Sequence, residues 1–436
     1  MTTTIKAPDW VVVLRRAAPG LLSIVVRGAA AGLSVALGVV VARLYGPIGA
    51  GSFYLALSTL LYATTIARAG TDQSLLRRVA QSHGRQEGWL GEYTFSILIG
   101  STLSVVAGGM VYFASGLLTS DDFSRHDTLI LSLGILPGAL IWINSGVLQG
   151  KGQVHRAVFL QAICTPLIAL PLLFLSDTVV GALWYYLAAI IVTALISFVW
   201  VFRQFGAAPF RAPPRVDKGF LKASANLAVV SLMNIAQNWL PITLAALFVS
   251  TYDVGLVSAA MRISAVGAMV LTALNSYAAP TFARLHVAKD LAALQSRVDE
   301  ISTLGFMLGL PLILTLVLFP HWVISLFGPE FHEAAGVLVV LAIGQFVIFA
   351  TGAGSVLLAM TGHDRALKNA TLLSVAVMAA GSVAGLALTG SYFAVAWASA
   401  LAVAVQNILI CAVARRELGL VAWFDPLRLL RRLQRT

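Results

Sequence analysis

Two arginines stand inside stretches too apolar to be loops: Arg27 in GLLSIVVRGAAAGLSVALGVVV and Arg262 in GLVSAAMRISAVGAMVLTAL. A cation near the centre of a bilayer costs roughly 2.5–3.5 kcal/mol on insertion scales, so each needs a compensating group. The planar guanidinium fork matches the oxygens of phosphate two at a time. No Asp or Glu falls at comparable depth in these stretches. A cationic cavity without carboxylates is suited to an anion, and phosphate oxygens match the guanidinium. The plainer reading stays open beside it. Arg27 lies about seven residues, roughly 10 Å, from the start of its stretch, and Arg262 sits about eight from an end, so either side chain can snorkel to the interface.

Polar residues of the same helices share faces with these cations. At 100° per residue, Ser23, Arg27 and Ser34 fall within about 40° of one another. Ser258, Arg262, Met269, Thr272 and Ser276 form a second stripe. Asn226, Asn234 and Gln237 lie within about 80° on a third helix, and Trp142, Ser145 and Gln149 mark a fourth. These residues are candidates for the lining of a hydrated central cavity, with Ser23, Ser34, Gln149, Asn226, Asn234, Gln237, Ser258 and Thr272 as its polar groups. Interhelical hydrogen bonding is the alternative for the amides and hydroxyls.

Membrane helices carry all of these residues. Hydrophobic residues make up 59% of the 436, charged residues only 11%, and mean hydropathy is +0.88. The apolar runs are about 20 residues long, the length of a spanning helix and not of a barrel strand. Twelve spans are predicted, at 20–42, 51–71, 93–117, 128–149, 157–176, 179–202, 224–249, 254–282, 302–325, 334–360, 367–388 and 391–414. Before the first, residues 8–18 read as a short interfacial segment, and the first span reads as a retained helix and not a cleaved signal. All but four of the 29 Lys and Arg residues gather in alternate loops and the two terminal segments; Arg43 and Arg125 are the exceptions on the other side, and Arg27 and Arg262 fall inside spans. By the positive-inside rule both termini are cytoplasmic. This distribution also accounts for the net charge of +11 without nucleic acid.

A basic, proline-rich stretch at 203–219 divides the chain into lobes at 1–202 and 220–414, with a basic amphipathic tail at 415–436 suited to anionic lipid. The stretch 283–301 has the pattern of a helix on the cytoplasmic surface. Gly51-Ser-Phe-Tyr-Leu-Ala resembles Gly255-Leu-Val-Ser-Ala-Ala, and Val147-Leu-Gln-Gly-Lys-Gly resembles Val356-Leu-Leu-Ala-Met-Thr-Gly, at nearly constant offsets. Six helices per half give repeats of equal orientation, related by a pseudo-two-fold along the membrane normal, with substrate expected between the lobes.

Catalytic equipment is not visible. The sequence contains no phosphate-binding Gly-x4-Gly-Lys-[Ser/Thr] loop, no HExxH and no Gly-x-Ser-x-Gly elbow. Cys164 and Cys411 lie within spans without metal-ligand spacing, so neither a disulfide, a metal nor a cofactor is expected.

The run Ala42-Arg-Leu-Tyr-Gly-Pro-Ile-Gly-Ala-Gly-Ser-Phe-Tyr, then Ala69-Gly-Thr-Asp-Gln-Ser-Leu-Leu-Arg-Arg-Val-Ala and Leu326-Phe-Gly-Pro-Glu-Phe, resembles the polysaccharide exporter and oligosaccharide-lipid flippase family (Wzx-like) of the MATE-like superfamily. The resemblance implies an all-α integral membrane transporter, not an enzyme. Its implied substrate is a polyprenyl-diphosphate-linked oligosaccharide for O-antigen, capsule or exopolysaccharide, flipped by alternating access across the bacterial inner membrane. In related flippases, arginines on the first and eighth helices meet the diphosphate, and Arg27 and Arg262 fall on those helices here. A monomer working beside glycan polymerase machinery is the expected setting. Two other classes compete. A cation-coupled drug antiporter would need carboxylates at membrane depth, whereas Asp72, Asp177 and Asp253 sit near span ends. A glycan polymerase or ligase would need a large external loop, and every predicted one is about ten residues or shorter.

Overall fold

The computed structural model describes residues 9–82, 89–118 and 125–426. The side chains of residues 9–25, 27, 114–118, 125–127, 269, 270, 273, 276, 277 and 280 are not among those described. Residues 1–8, 83–88 and 119–124, with their share of the loop cations, and the basic tail from 427 therefore fall outside the described residues.

The described chain is helical without strands. Its main helices are α1 (Asp9–Arg68), α2 (Thr71–Gln81), α3 (Leu90–Leu118), α4 (Arg125–Gly150), α5 (Val154–Leu173), α6 (Val179–Phe205) and α7 (Lys218–Ala245). The second half adds α8 (Thr251–Val287), α9 (Leu291–Leu318), α10 (Ala335–Thr351), α11 (Gly354–Met360), α12 (Asp364–Thr389) and α13 (Phe393–Leu418). Helix starts follow from side-chain caps: Thr178, Asp217, Ser250 and Asp290 accept from the amides of Gly181, Phe220, Asp253 and Ala293 at the heads of α6 to α9. The fold is a multi-pass helical membrane protein of about twelve spanning helices in two six-helix lobes.

Four boundaries differ from the sequence expectation. The first two spans are one run, α1, bent where Gly46 leaves the helix with φ 64°, a conformation that costs glycine little. The helix begins at Asp9, so the expected interfacial segment continues into the first span. The fifth span carries a π-helical segment at Phe159–Cys164 just before Pro166; proline removes an amide donor and crowds the preceding turn, which a π bulge relieves. The stretch 283–301 is the end of α8 and the start of α9, divided at Ala288–Asp290 where Lys289 takes φ 56°.

The repeat is visible where the halves meet. A Cβ on Gly51 would overlap the Thr251 carbonyl oxygen, and a Cβ on Gly255 would overlap the Pro47 carbonyl oxygen. These contacts are reciprocal, so the pseudo-two-fold passes between Gly51 and Gly255, and only glycine allows the two backbones this close. Arg43 adds a bond across the same end, from Nε to the Leu326 carbonyl at 2.9 Å. Tyr45 meanwhile donates to the Leu173 and Ser176 carbonyls at 3.1 Å, tying the bend of α1 to its own lobe.

At the opposite, basic end the halves diverge. α1 stops at Arg68 because Ala69 and Gly70 take φ 46° and 70°, turning α2 away. The repeat-equivalent positions are Ala273 and Leu274, which continue α8 without a break. A leucine in the left-handed region would be strained, so the second half keeps a continuous 37-residue helix.

Arg68 departs from the expectation that it is a loop cation. It is 5% exposed, donates from Nη1 to Asp72 Oδ2 at 3.0 Å and lies 4.3 Å over the Trp142 ring. The Ala69–Gly70 turn is the cause, since it folds α2 back against α4 and brings Asp72 one turn from Arg68.

Candidate functional site

Arg262 projects from α8 into the space between lobes. Its Nη1 donates to Ser34 Oγ at 3.1 Å, so the cation of the second half is held by a hydroxyl of the first. Two aromatic faces flank it: Tyr54 of α1, with Arg262 Cζ 4.1 Å from the ring centroid, and Trp239 of α7 at 5.4 Å. Such faces attract a cation through the ring quadrupole and offset part of the cost of placing an arginine here. Compensation is incomplete. Nε and Nη2 are shielded from solvent and have no acceptor, and no carboxylate lies within 4.0 Å of the guanidinium among the described residues. Buried donors of this kind are costly unless something accepts from them.

The backbone makes room for this arrangement. A Cβ on Gly38 would stand 3.0 Å from Tyr54 Oη and 3.1 Å from Arg262 Cδ. Beside the guanidinium is a cavity of about 190 Å³ lined by Ser34, Asn238, Trp239, Ile242 and Met261 among others. Asn238, Met261 and Ala265 also line a second cavity of about 240 Å³ inside the C-terminal lobe. There Gln237 Nε2 donates to Gln406 Oε1 at 2.8 Å, and Gln406 Nε2 donates to Thr371 Oγ1 at 3.0 Å. Thr371 in turn lines a vestibule of about 810 Å³ at the basic end, with Arg77 from α2, Lys222, Asn226 and Asn234 from α7, and Asp364 and Lys368 from α12. The polar face of α7 thus runs from the vestibule to the space beside Arg262.

The sequence candidates divide accordingly. Ser34 and Arg262 meet. Gln237 lines the lobe cavity, and Asn226 and Asn234 line the vestibule. Ser258 is fully buried and its hydroxyl has no partner, one turn before Arg262 but lining none of these cavities. Thr272 is exposed and donates to the Ala268 carbonyl at 2.8 Å. Gln149 ends α4 at the basic end, apart from these cavities. Arg27 and Ser23 lie on α1, with side chains outside those described; the backbone places Arg27 two turns, about 10 Å, nearer the basic end than Ser34.

Sequence reasoning missed several groups that the fold assembles. Tyr54 and Trp239 reach Arg262 from distant sequence, so no local pattern carries them. Asn238 and Gln406 join Gln237 in the lobe cavity, Gln406 from a separate helix. Arg77, Lys222 and Lys368 belong to the loop cations of the positive-inside pattern, and each also lines the vestibule.

Comparisons with known proteins agree with this architecture. Residues 19–286 match the family described as polysaccharide biosynthesis protein. No curated protein matches the chain in sequence. Among solved structures, it is similar to a multidrug resistance MATE family transporter of the MOP superfamily in its inward-facing conformation, with TM-score 0.73 and 15% identity over 91% of this chain and 98% of that one. The outward-facing form of such a transporter gives 0.66 and 17%, covering 92% and 94%. A MOP superfamily transporter from Pyrococcus furiosus, described as having a binding pocket of reverse polarity, gives 0.64 and 15%, covering 92% and 95%.

Proposed function

The chain belongs to the polysaccharide biosynthesis protein family, and from that premise we propose that it is a flippase for a polyprenyl-diphosphate-linked oligosaccharide. In this reading it carries the lipid-linked glycan across the bacterial inner membrane by alternating access, with both termini cytoplasmic. The glycan would serve a surface polysaccharide of the O-antigen, capsule or exopolysaccharide kind.

One observation carries the reading: Arg262 stands between the lobes with two guanidinium nitrogens unpartnered and, among the described residues, no carboxylate within 4.0 Å. A diphosphate supplies both the missing charge and the missing acceptors, in the paired geometry that guanidinium prefers. We assign Arg27, two turns nearer the basic end on α1, as a second contact for the same group. The vestibule cations Arg77, Lys222 and Lys368 favour entry of an anionic headgroup from the basic end. The state described here suits the loading step. The Gly51–Gly255 crossing and the Arg43 bond close one end, while the vestibule of about 810 Å³ lies at the other. A cation-coupled drug antiporter fits less well, because no carboxylate lines the cavities beside Arg262.

The test is reconstitution. Proteoliposomes holding the full chain should move a polyprenyl-diphosphate-linked glycan between leaflets, and Arg262→Ala of equal thermal stability should not. Undiminished flipping by that variant removes Arg262 from the mechanism. Dye efflux driven by protons or sodium, without glycan flipping, would install the antiporter reading instead.

A further inference from the structure

The cavity inside the C-terminal lobe has a chemistry different from the space beside Arg262. Five carboxamides line it, from Gln237, Asn238, Gln345, Gln406 and Asn407, together with serine hydroxyls such as Ser399, and no charged side chain does among the described residues. A metal ion or organic cation held there would lack any opposing charge, and an anion any cation. Carboxamides and hydroxyls instead offer donors and acceptors side by side, the pattern that complements a sugar hydroxyl, which both donates and accepts.

The amides are not simply satisfied among themselves. Gln237 and Gln406 bond to each other and on to Thr371, and Asn407 donates to the Val403 carbonyl and accepts from Thr351 Oγ1. Asn238 donates to the Asn234 carbonyl at 2.8 Å. These bonds fix the orientation of four amides while leaving part of each amide's capacity unused. Gln345 has no such anchor, and its Oε1 is shielded without a partner. At about 240 Å³ the chamber is smaller than the roughly 300–1,000 Å³ of drug-sized ligand sites, which suits about one sugar ring. It shares Asn238, Met261 and Ala265 with the cavity beside Arg262, so the two compartments adjoin.

We infer that this carboxamide chamber is a saccharide subsite, taking an uncharged sugar unit near the lipid-linked end of the glycan while the diphosphate rests on Arg262. The inference rests on the flippase reading and adds a specificity element to it. Discrimination then lies in the C-terminal lobe: a hydroxyl missing from the sugar leaves a buried amide unpaired, which disfavours the wrong glycan more than a lost apolar contact would.

Two probes separate this inference from the reading beneath it: undecaprenyl diphosphate, and the undecaprenyl-diphosphate-linked glycan extracted from cells lacking the protein. Binding of each to the purified full chain in nanodiscs is measured for wild type, Gln345→Leu, Ser399→Leu and Arg262→Ala. Gln345→Leu removes an amide that has no bonded partner to strand, and Ser399→Leu fills the chamber while keeping every amide; melting temperatures confirm that both variants are folded. Wild type should bind the glycan lipid at least about tenfold tighter than the bare diphosphate lipid. Both chamber variants should lose most of that preference and keep their affinity for the bare lipid, whereas Arg262→Ala should weaken both. An unchanged preference in two folded chamber variants, or equal affinity of wild type for the two lipids, overturns the subsite and leaves the flippase reading standing. If wild type binds neither lipid and Arg262→Ala changes nothing, both fall together.

Discussion

Arg68 and Arg262 are both arginines at buried or half-buried positions in spanning helices, and their surroundings assign them opposite roles. Arg68 is compensated within its own lobe, by Asp72 one turn away and by the face of Trp142. Arg262 is held across the lobe boundary by a neutral hydroxyl and two aromatic faces, with two donors left over. A buried cation that already has its counter-charge belongs to the architecture. One without a counter-charge is poised for a ligand that brings it.

Removing Arg68 should produce the larger effect, and on stability. Arg68→Ala strands Asp72, which is 1% exposed; breaking a buried pair from one side costs about 3–5 kcal/mol. Thermal unfolding in detergent should show a strongly lowered transition, with little folded protein in membranes. The double variant Arg68→Met with Asp72→Leu removes both charges and should regain most of the loss, since apolar replacement of a buried pair is often neutral. A double variant as unstable as the single one would mean that the pair matters for more than its own charge balance.

The converse holds for Arg262. Arg262→Ala leaves no carboxylate stranded, so its unfolding transition should stay near that of wild type. Glycan-lipid binding should fall by at least roughly 30-fold, the equivalent of about 2 kcal/mol for losing a desolvated charged contact. Arg262→Lys should retain a smaller part of the binding, because a point charge cannot make the paired contacts of a guanidinium. If Arg262→Ala instead destabilised the fold as Arg68→Ala does, the contrast between the two sites would be lost.

How legible all this was in the sequence differs between these two sites. The helical membrane class, the transporter family and the isolation of Arg262 from acidic residues follow from composition, motifs and spacing. The burial of Arg68 does not, because it depends on Ala69 and Gly70 both taking positive φ. A loop and such a turn read alike in the sequence. The close approach of Gly51 to Gly255 was hinted at by the repeat, yet two matching glycines do not announce that their backbones touch. Tyr54 and Trp239 were invisible as partners of Arg262, since each comes from another helix and their meeting is a product of lobe packing. Gln149 and Ser258 show the complementary limit: a helical stripe fixes which residues share a face but not what that face meets.

A third arginine carries the comparison to the surface and gives the smallest effect. Arg78 on α2 pairs with Glu92 at 3.1 Å and with Asp217, the capping residue of α7, where its side chain is 35% exposed. The amide of Phe220, and then Arg78, hold the Asp217 carboxyl below the usual carboxylate range. A carboxyl with a depressed folded-state pKa contributes stability above its unfolded pKa of about 3.9, and that contribution disappears as pH falls through the lower folded value. Asp217→Asn keeps an oxygen for the Phe220 amide but loses the charge. Its melting temperature should therefore lie slightly below that of wild type at neutral pH, and the two should converge as pH drops below about 4. High salt should narrow the gap at neutral pH, because an exposed pair is screened, whereas salt should leave the Arg68→Ala deficit almost intact. Equal salt sensitivity of the two deficits would show that burial does not separate these arginines after all.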